Sequence, residues 1–262
     1  MTISGKYPKR KPRNYYHLGH YLDGLKMILI DTAFDFNSDA AGGDPDSKSS
    51  TLRNYHKLLW SKPLPNGSPF NLNYGAKDSY LSYNSGTYEV SLSSDSIGNS
   101  YRDSKKMAAI IERLEFDTVE SFRRLNSTIG GYIIFPAKKI DGEMTINQMR
   151  GVSQVIGDRF DLTLECIRRF YKGTSSPLGE TLNRYSEFFN LFDSFQGYVD
   201  FFLLNDLVSE SDYQVNFFTS IEELFLESPL PKNPEEYLEY RMNSMRFTAK
   251  RNDRIAEWAK AH

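Results

Sequence analysis

A chain of 262 residues is long enough for one large domain or two small ones, each with a substantial core, which excludes a disulfide-stapled miniprotein. Hydrophobic residues make up 39% and aromatic residues 14%, and the 18 Phe and 17 Tyr supply large buried area per side chain. The formal charge of −2 excludes a globally basic protein that coats nucleic acid, while leaving local basic patches open.

Residues 1–20 place Lys6, Lys9, Arg10, Lys11 and Arg13 among Tyr7, Pro8, Pro12, Tyr15 and Tyr16, a composition that favours an extended arm outside a single globular domain of residues 21–262. The functional reading of Lys9, Arg10, Lys11 and Arg13 is a nucleic-acid or partner-binding arm with stacking tyrosines. The alternative is a solvated tail. No apolar run after this basic start is long enough for a secretory signal, and none approaches a membrane span, so the expected location is the cytoplasm, without a membrane. The lone Cys166 rules out an internal disulfide and a cysteine-based zinc cluster, and its apolar neighbours Leu164 and Ile167 favour a packed thiol.

The run at 25–30 predicts a short strand. Five aspartates with Gly42, Gly43 and Pro45 mark 31–46 as a loop whose carboxylates cap and turn the chain, since their spacing does not match a calcium loop. Ser49 or Ser50 caps a helix that runs to about Trp60 and is ended by Pro63 and Pro65. Alternation in 70–72 and 88–92 predicts strands with one buried face, and Ser93 to Ser96 reads as a polar turn after them. Helical spacing returns over 104–125 with a break near Phe116. After the small-residue turn Asn126 to Gly131, the apolar run 132–135 before Pro136 predicts a strand in a central buried position. Helices are expected over 158–171, 178–192 and 197–208 as one layer. A short strand over 213–218 and a last helix from Pro234 to about Lys260 follow. The sum is an α+β fold: one small, mostly antiparallel sheet packed against a helix-rich C-terminal half.

The densest charge runs from Asp158 to Arg169. On a helix Asp161, Glu165, Arg168 and Arg169 share a face, with Asp158 and Arg159 at its entrance, so a carboxylate could act as a base while Arg159, Arg168 and Arg169 grip a phosphate. The competing reading is an intrahelical ion-pair ladder. His56, among Trp60 and Lys62, is the best single candidate for proton transfer near neutral pH, against a satisfied structural histidine. His17 and His20 could face one metal, but no third ligand is visible, and no phosphate loop or dinucleotide fingerprint occurs.

The segment from Ser50 to Gly67, with its YHKLLWSKPLPNG core, resembles a hallmark of an uncharacterised bacterial and phage protein family, a domain of unknown function. Residues 128–136, 145–147, the DRFDLTLECIRR run and 197–202 are similar to the same family, over about residues 31–255. The resemblance implies a bacterial or phage cytosolic protein and no particular reaction or cofactor. The leading functional expectation is an effector, a transferase or hydrolase acting on a nucleotide, nicotinamide dinucleotide or nucleic acid. His56, Asp161 and Glu165 would be its catalytic groups, and Arg159, Arg168, Arg169, Lys62 and Trp60 its ligand-binding groups, in one shared cleft. The rival is a non-enzymatic phage-encoded inhibitor that binds a host protein or nucleic acid and keeps these groups in separate neighbourhoods.

Overall fold

A computed structural model describes residues 29–75 and 80–262. Residues 9–13, 17 and 20, and most of the strand expected over 25–30, lie outside the described residues.

Alternation builds the sheet. Strands β1 (Leu72–Tyr74), β2 (Leu81–Asn84), β3 (Glu89–Ser96) and β4 (Tyr132–Pro136) pair antiparallel in the order β1-β2-β3-β4. The register Leu72↔Tyr83, Tyr83↔Val90 and Leu81↔Leu92 puts the apolar side chains on one buried face. Gly86, at φ +89°, supplies the left-handed residue that the β2–β3 hairpin needs. Ser93 to Ser96 is no turn: these residues lie within β3 and pair with β4 from Ser93↔Phe135 to Ser96↔Tyr132.

All of β4 is buried, as its composition requires, yet it is an edge strand. What covers its open side is a helix. Arg251 donates to the carbonyls of Tyr132 (2.7 Å) and Gly130 (2.9 Å), and Asn252 accepts from the Gly130 N–H (2.7 Å). Side chains thus satisfy backbone groups that a neighbouring strand would otherwise meet.

The helices follow their capping signals. Helix α1 (Pro45–Lys48) starts at Asp44, and α2 (Ser50–Trp60) starts at Ser49, whose hydroxyl accepts from Leu52 N–H at 3.0 Å. Leu52, His56, Leu59 and Trp60 face inward at helical spacing. The predicted break near Phe116 separates α3 (Ala108–Ile111) from α4 (Phe116–Asn126). Helix α5 (Ile146–Val152) opens on a capping box between Thr145 and Gln148. Then come α6 (Phe160–Tyr171), α7 (Gly179–Arg184), α8 (Ser186–Asn190), α9 (Phe195–Phe201) and α10 (Pro234–Ala261), the last with proline in its first turn. Residues 213–218 form no strand. Their only ladder contact is an isolated Val208↔Val215 bridge, and the Phe218 N–H is taken by the Asp161 carboxylate.

Aromatic packing joins the helical half to the sheet. Phe192 contacts Phe201 and Phe202 at ring centroid distances of 5.0 and 5.2 Å. Phe202 meets Trp60 at 5.2 Å, and Phe70 links Phe201 (5.6 Å) to Tyr83 of β2 (4.4 Å). One contiguous buried cluster runs from Phe36 to Ile255.

Candidate acid–base centre

The most unusual buried charge sits where β3, α1, α5 and the entrance to α6 meet. Arg150, fully buried, is held by partners from three directions. Its Nε donates to the Thr163 hydroxyl (2.9 Å), Nη1 to the Asp95 carboxylate, and Nη2 to the Ser96 carbonyl (3.1 Å). Nη2 also stands 3.9 Å from an Asp158 oxygen. The guanidinium lies between the rings of Phe135 and Phe160, 5.8 Å from each centroid, so apolar surface fixes its plane.

Of the carboxylates around it, Asp158 is placed by a backbone conformation that side chains rarely adopt. Gly157 and Asp158 are consecutive left-handed residues (φ +58° each), and the Asp158 N–H bonds the Arg150 carbonyl at 3.1 Å. Asn99 holds Asp158 in place by donating to its Oδ2 (3.0 Å), while its own oxygen accepts from the N–H of Tyr101, another left-handed residue at φ +55°. Tyr101 closes the loop by donating its hydroxyl to the Gly157 carbonyl (2.7 Å). Holding a tyrosine in this region costs of order 1 kcal/mol, and its two hydrogen bonds, to Asn99 and Gly157, act against that cost.

Charge is unbalanced here. One guanidinium faces Asp95, Asp158 and Asp46. Burial first, and then repulsion from Asp95 and Asp44, raises the Asp46 carboxyl well above the ordinary carboxylate range. Burial also pushes Asp95 up to about 7, with Arg150 opposing the rise and Asp158 adding to it. Two acceptors nearby have no donor among the described residues: Asp46 Oδ1 and Asn147 Oδ1 are out of solvent and unpartnered there, although the Asn147 amide donates to the Ser94 carbonyl (3.2 Å). Asp95 and Asp158 keep 14% and 28% of their side-chain surface, so the centre is open to solvent on that side. Among the described residues, no three of His, Cys, Asp and Glu converge in a way that could hold a metal ion.

The residues singled out by sequence fall into separate groups. His56 is buried in α2, where its Nδ1 accepts from Trp60 Nε1 at 2.9 Å, which leaves the proton on an unpartnered Nε2. Asp161 is fully buried and bonds Arg159 through both oxygens, one of which also accepts from Phe218 N–H (2.8 Å). Arg159 continues to the Thr219 hydroxyl (2.7 Å) and the Pro229 carbonyl (3.0 Å). This group ties the segment before α10 onto the start of α6. Glu165 accepts from Arg168 (2.7 Å) and Arg169 (2.9 Å) as an i,i+3 and i,i+4 ladder. No hydrogen bond or ion pair among the described residues joins His56, Asp161 and Glu165, so the shared cleft expected of them is not formed by direct contacts. Arg168 lines a surface depression of about 290 Å³, with Lys172, Phe195 and Tyr213. Arg169 lies over the Phe225 ring (5.0 Å), and Lys62 and Trp60 stand together near Arg251. Cys166 is buried, and burial pushes its thiol up to about 12, as suits a packed thiol rather than a nucleophile.

Burial, aided by the Arg251 charge, lowers the His56 imidazole to about 3. Its contribution to stability is therefore complete above the unfolded value near 6.5 and is lost as pH falls towards 3. The stability advantage of the wild type over His56→Gln should shrink by about 3 kcal/mol between pH 7 and pH 4, measured by urea unfolding. A difference that stays constant over this range would mean that the ring takes up its proton as readily in the folded protein as in the unfolded chain.

Fold and centre together define an α+β protein whose helical half and sheet are joined at a buried arginine–carboxylate cluster. The chain belongs to the Family of unknown function (DUF6994), whose sequence profile matches residues 30–255. No curated protein and no solved structure matches it significantly.

Proposed function

We propose that this protein is an acid–base enzyme, a hydrolase or transferase, whose reacting group docks against Asp95, Asp158 and Asp46 at Arg150. The observation that carries the reading is Asp95: a carboxyl raised to about 7, in contact with a fixed guanidinium and partly open to solvent. Such a group can be protonated at neutral pH and give its proton up on demand. The excess of carboxylates repels phosphate, and the unpartnered oxygens of Asp46 and Asn147 call for donors. The reacting group is therefore neutral or cationic and rich in hydroxyl or N–H groups, as the sugar of a nucleoside or the ribosyl-pyridinium half of a nicotinamide dinucleotide is. As the bond from the sugar carbon to the base of a nucleoside breaks, Asp95 gives its proton to the leaving base, water or an acceptor hydroxyl adds to that carbon, and Asp158 supports the positive charge that develops there. A nicotinamide leaves as a neutral pyridine and takes no proton. Arg150 orients Asp95.

The reading is of a cytosolic bacterial or phage effector. The lone buried thiol supports the cytosolic part of that reading, and the bacterial or phage part rests on the sequence resemblance alone; no described helix is long and apolar enough to cross a membrane. The test is release of free base or nitrophenol from nucleosides, nicotinamide dinucleotide and nitrophenyl glycosides. On nucleosides turnover should fall about 100-fold or more in Asp95→Asn and in Asp158→Asn, while nicotinamide and nitrophenol, which leave without a proton, should lose less in Asp95→Asn. Absence of turnover on every member of the panel, or full activity of Asp95→Asn on nucleosides, would sink the proposal.

A further inference from the structure

A surface depression of about 190 Å³ lies between the turns of α10 from Asn243 to Lys250, the 3-10 helix Asn205–Leu207 and the segment 216–218. The acid–base centre uses none of these residues. The apolar part of the lining is firm, since Phe218 and Phe247 are buried and their ring centroids stand 6.2 Å apart. The walls are tied to one another as well. The Asn216 N–H bonds the Leu207 carbonyl (2.9 Å), and the Asn243 side-chain amide donates to the Phe218 carbonyl (2.8 Å). The Asn243 oxygen then accepts from Arg246 Nη1 at 3.4 Å. That is the one hydrogen bond of this guanidinium among the described residues, and it forms no ion pair among them. Asp206 is the only carboxylate among the described residues that line the depression. Arg254 donates to one of its oxygens through two nitrogens (3.1 and 3.0 Å), and the Lys250 ammonium stands 3.9 Å from the other. Three cations therefore share one carboxylate, and Arg246 and Lys250, four residues apart on one face of α10, both line the depression.

We propose that this depression binds a small phosphate, either the free anion or the phosphate group of a monoester. The surplus of positive charge calls for an anion. A guanidinium fork beside an ammonium matches an anion with several oxygens, and Arg246 keeps Nε and Nη2 without an acceptor among the described residues. The amide of Asn216, exposed at the rim, adds a neutral donor. A volume below the about 300–1,000 Å³ of pockets that enclose a whole ligand suits a phosphate whose organic part lies outward against the half-buried Phe217. Because the walls are already joined, little ordering is needed on binding. The charge balance is the reverse of that at the acid–base centre, where carboxylates outnumber the guanidinium and repel phosphate.

The experiment is titration of the full chain, labelled with nitrogen-15, with inorganic phosphate, adenosine monophosphate and adenosine at constant ionic strength. NMR follows the side-chain amides of Asn216 and Asn243 and the Arg246 Nε–H. Both phosphates should shift these signals and saturate at about 1 mM or below, while adenosine leaves them unmoved. Tighter binding of the nucleotide assigns the site to a monoester and tighter binding of inorganic phosphate to the free anion; either supports the site. Arg246 and Lys250 are exposed, so Arg246→Gln and Lys250→Gln should fold normally, and each should weaken phosphate binding about tenfold or more. Lys260→Gln, on the same helix and outside the depression, should leave it unchanged. No saturable shift with either phosphate, or equal weakening by all three substitutions, would overturn the proposal. The readout is binding at residues that the acid–base centre does not use, so it is independent of the turnover test of Asp95.

Discussion

Arg150→Met is expected to destabilise the protein by about 3–5 kcal/mol at pH 8, one of the largest effects of any single side-chain truncation outside the apolar core. The guanidinium is wholly buried, and its removal leaves Asp95 in contact with no cation while the Thr163 hydroxyl and the Ser96 carbonyl lose their donor. Methionine fills the space between Phe135 and Phe160 without clash, so the loss reports charge and hydrogen bonding rather than a cavity. The sign of its pH dependence follows from Asp95. Its folded-state value is raised, so the folded protein holds that proton more tightly than the unfolded chain, and stability falls as pH rises from about 4 to about 7. Without Arg150 that rise becomes larger still, and the cost of the substitution should be smaller at pH 5 than at pH 8. Asp95→Asn in the same background should restore part of the loss, measured as a double-mutant cycle by urea unfolding. Strict additivity of the two substitutions would show that they do not form a pair.

Arg251→Met is expected to cost a similar amount, about 3–5 kcal/mol, for a different reason. Among the described residues Arg251 has no carboxylate partner. It is a buried cation that donates to the backbone carbonyls of Phe202, Gly130 and Tyr132, and these cannot be replaced by apolar groups when the arginine is removed. A buried ion pair can be exchanged for hydrophobic side chains at little cost, but an orphaned carbonyl remains polar whatever faces it. The loss should therefore vary little between pH 5 and pH 8, in contrast to Arg150→Met. Hydrogen exchange of Ile133 to Phe135 should accelerate together with that of α10, because this side chain, with Asn252, joins the edge strand to the helix. A stable variant with unchanged exchange in β4 would contradict the account of how that edge is closed.

The contrast between the two arginines shows which parts of the molecule are legible in the amino-acid order. Helices α2 and α10 are readable because cap, apolar spacing and proline position act within a few residues. The ladder of Glu165 with Arg168 and Arg169 is readable for the same reason, since its partners are three and four residues apart on one face. That face packs and solubilises a helix; the density of charge in it says nothing of a cleft. Arg150 carries no local signal. Its partners lie 55 residues back at Asp95 and 13 ahead at Thr163, and only the fold brings them together. Asp95 was hidden by its neighbours, because a Ser-Ser-Asp-Ser run reads as a turn. It stays in a strand because pairing with β4 fixes its backbone and the small serines leave room for the guanidinium. The edge position of β4 was also invisible, since a continuous apolar run records only that both faces are buried, not whether a strand or a helix covers the side. His56 was read correctly as lying on a helix, but the indole four residues on, which takes its Nδ1, turns a candidate proton carrier into a packed neutral ring.

The carboxyl of Asp95 can be followed directly by carbon-13 NMR of the protein labelled at aspartate, assigned with Asp95→Asn, between pH 3 and pH 9. A midpoint near 7, falling when Asp158 is replaced by asparagine, is the result this account predicts. A midpoint below 4 would mean that Asp95 is only the fixed counter-ion of Arg150, and the acid–base centre would have no acid.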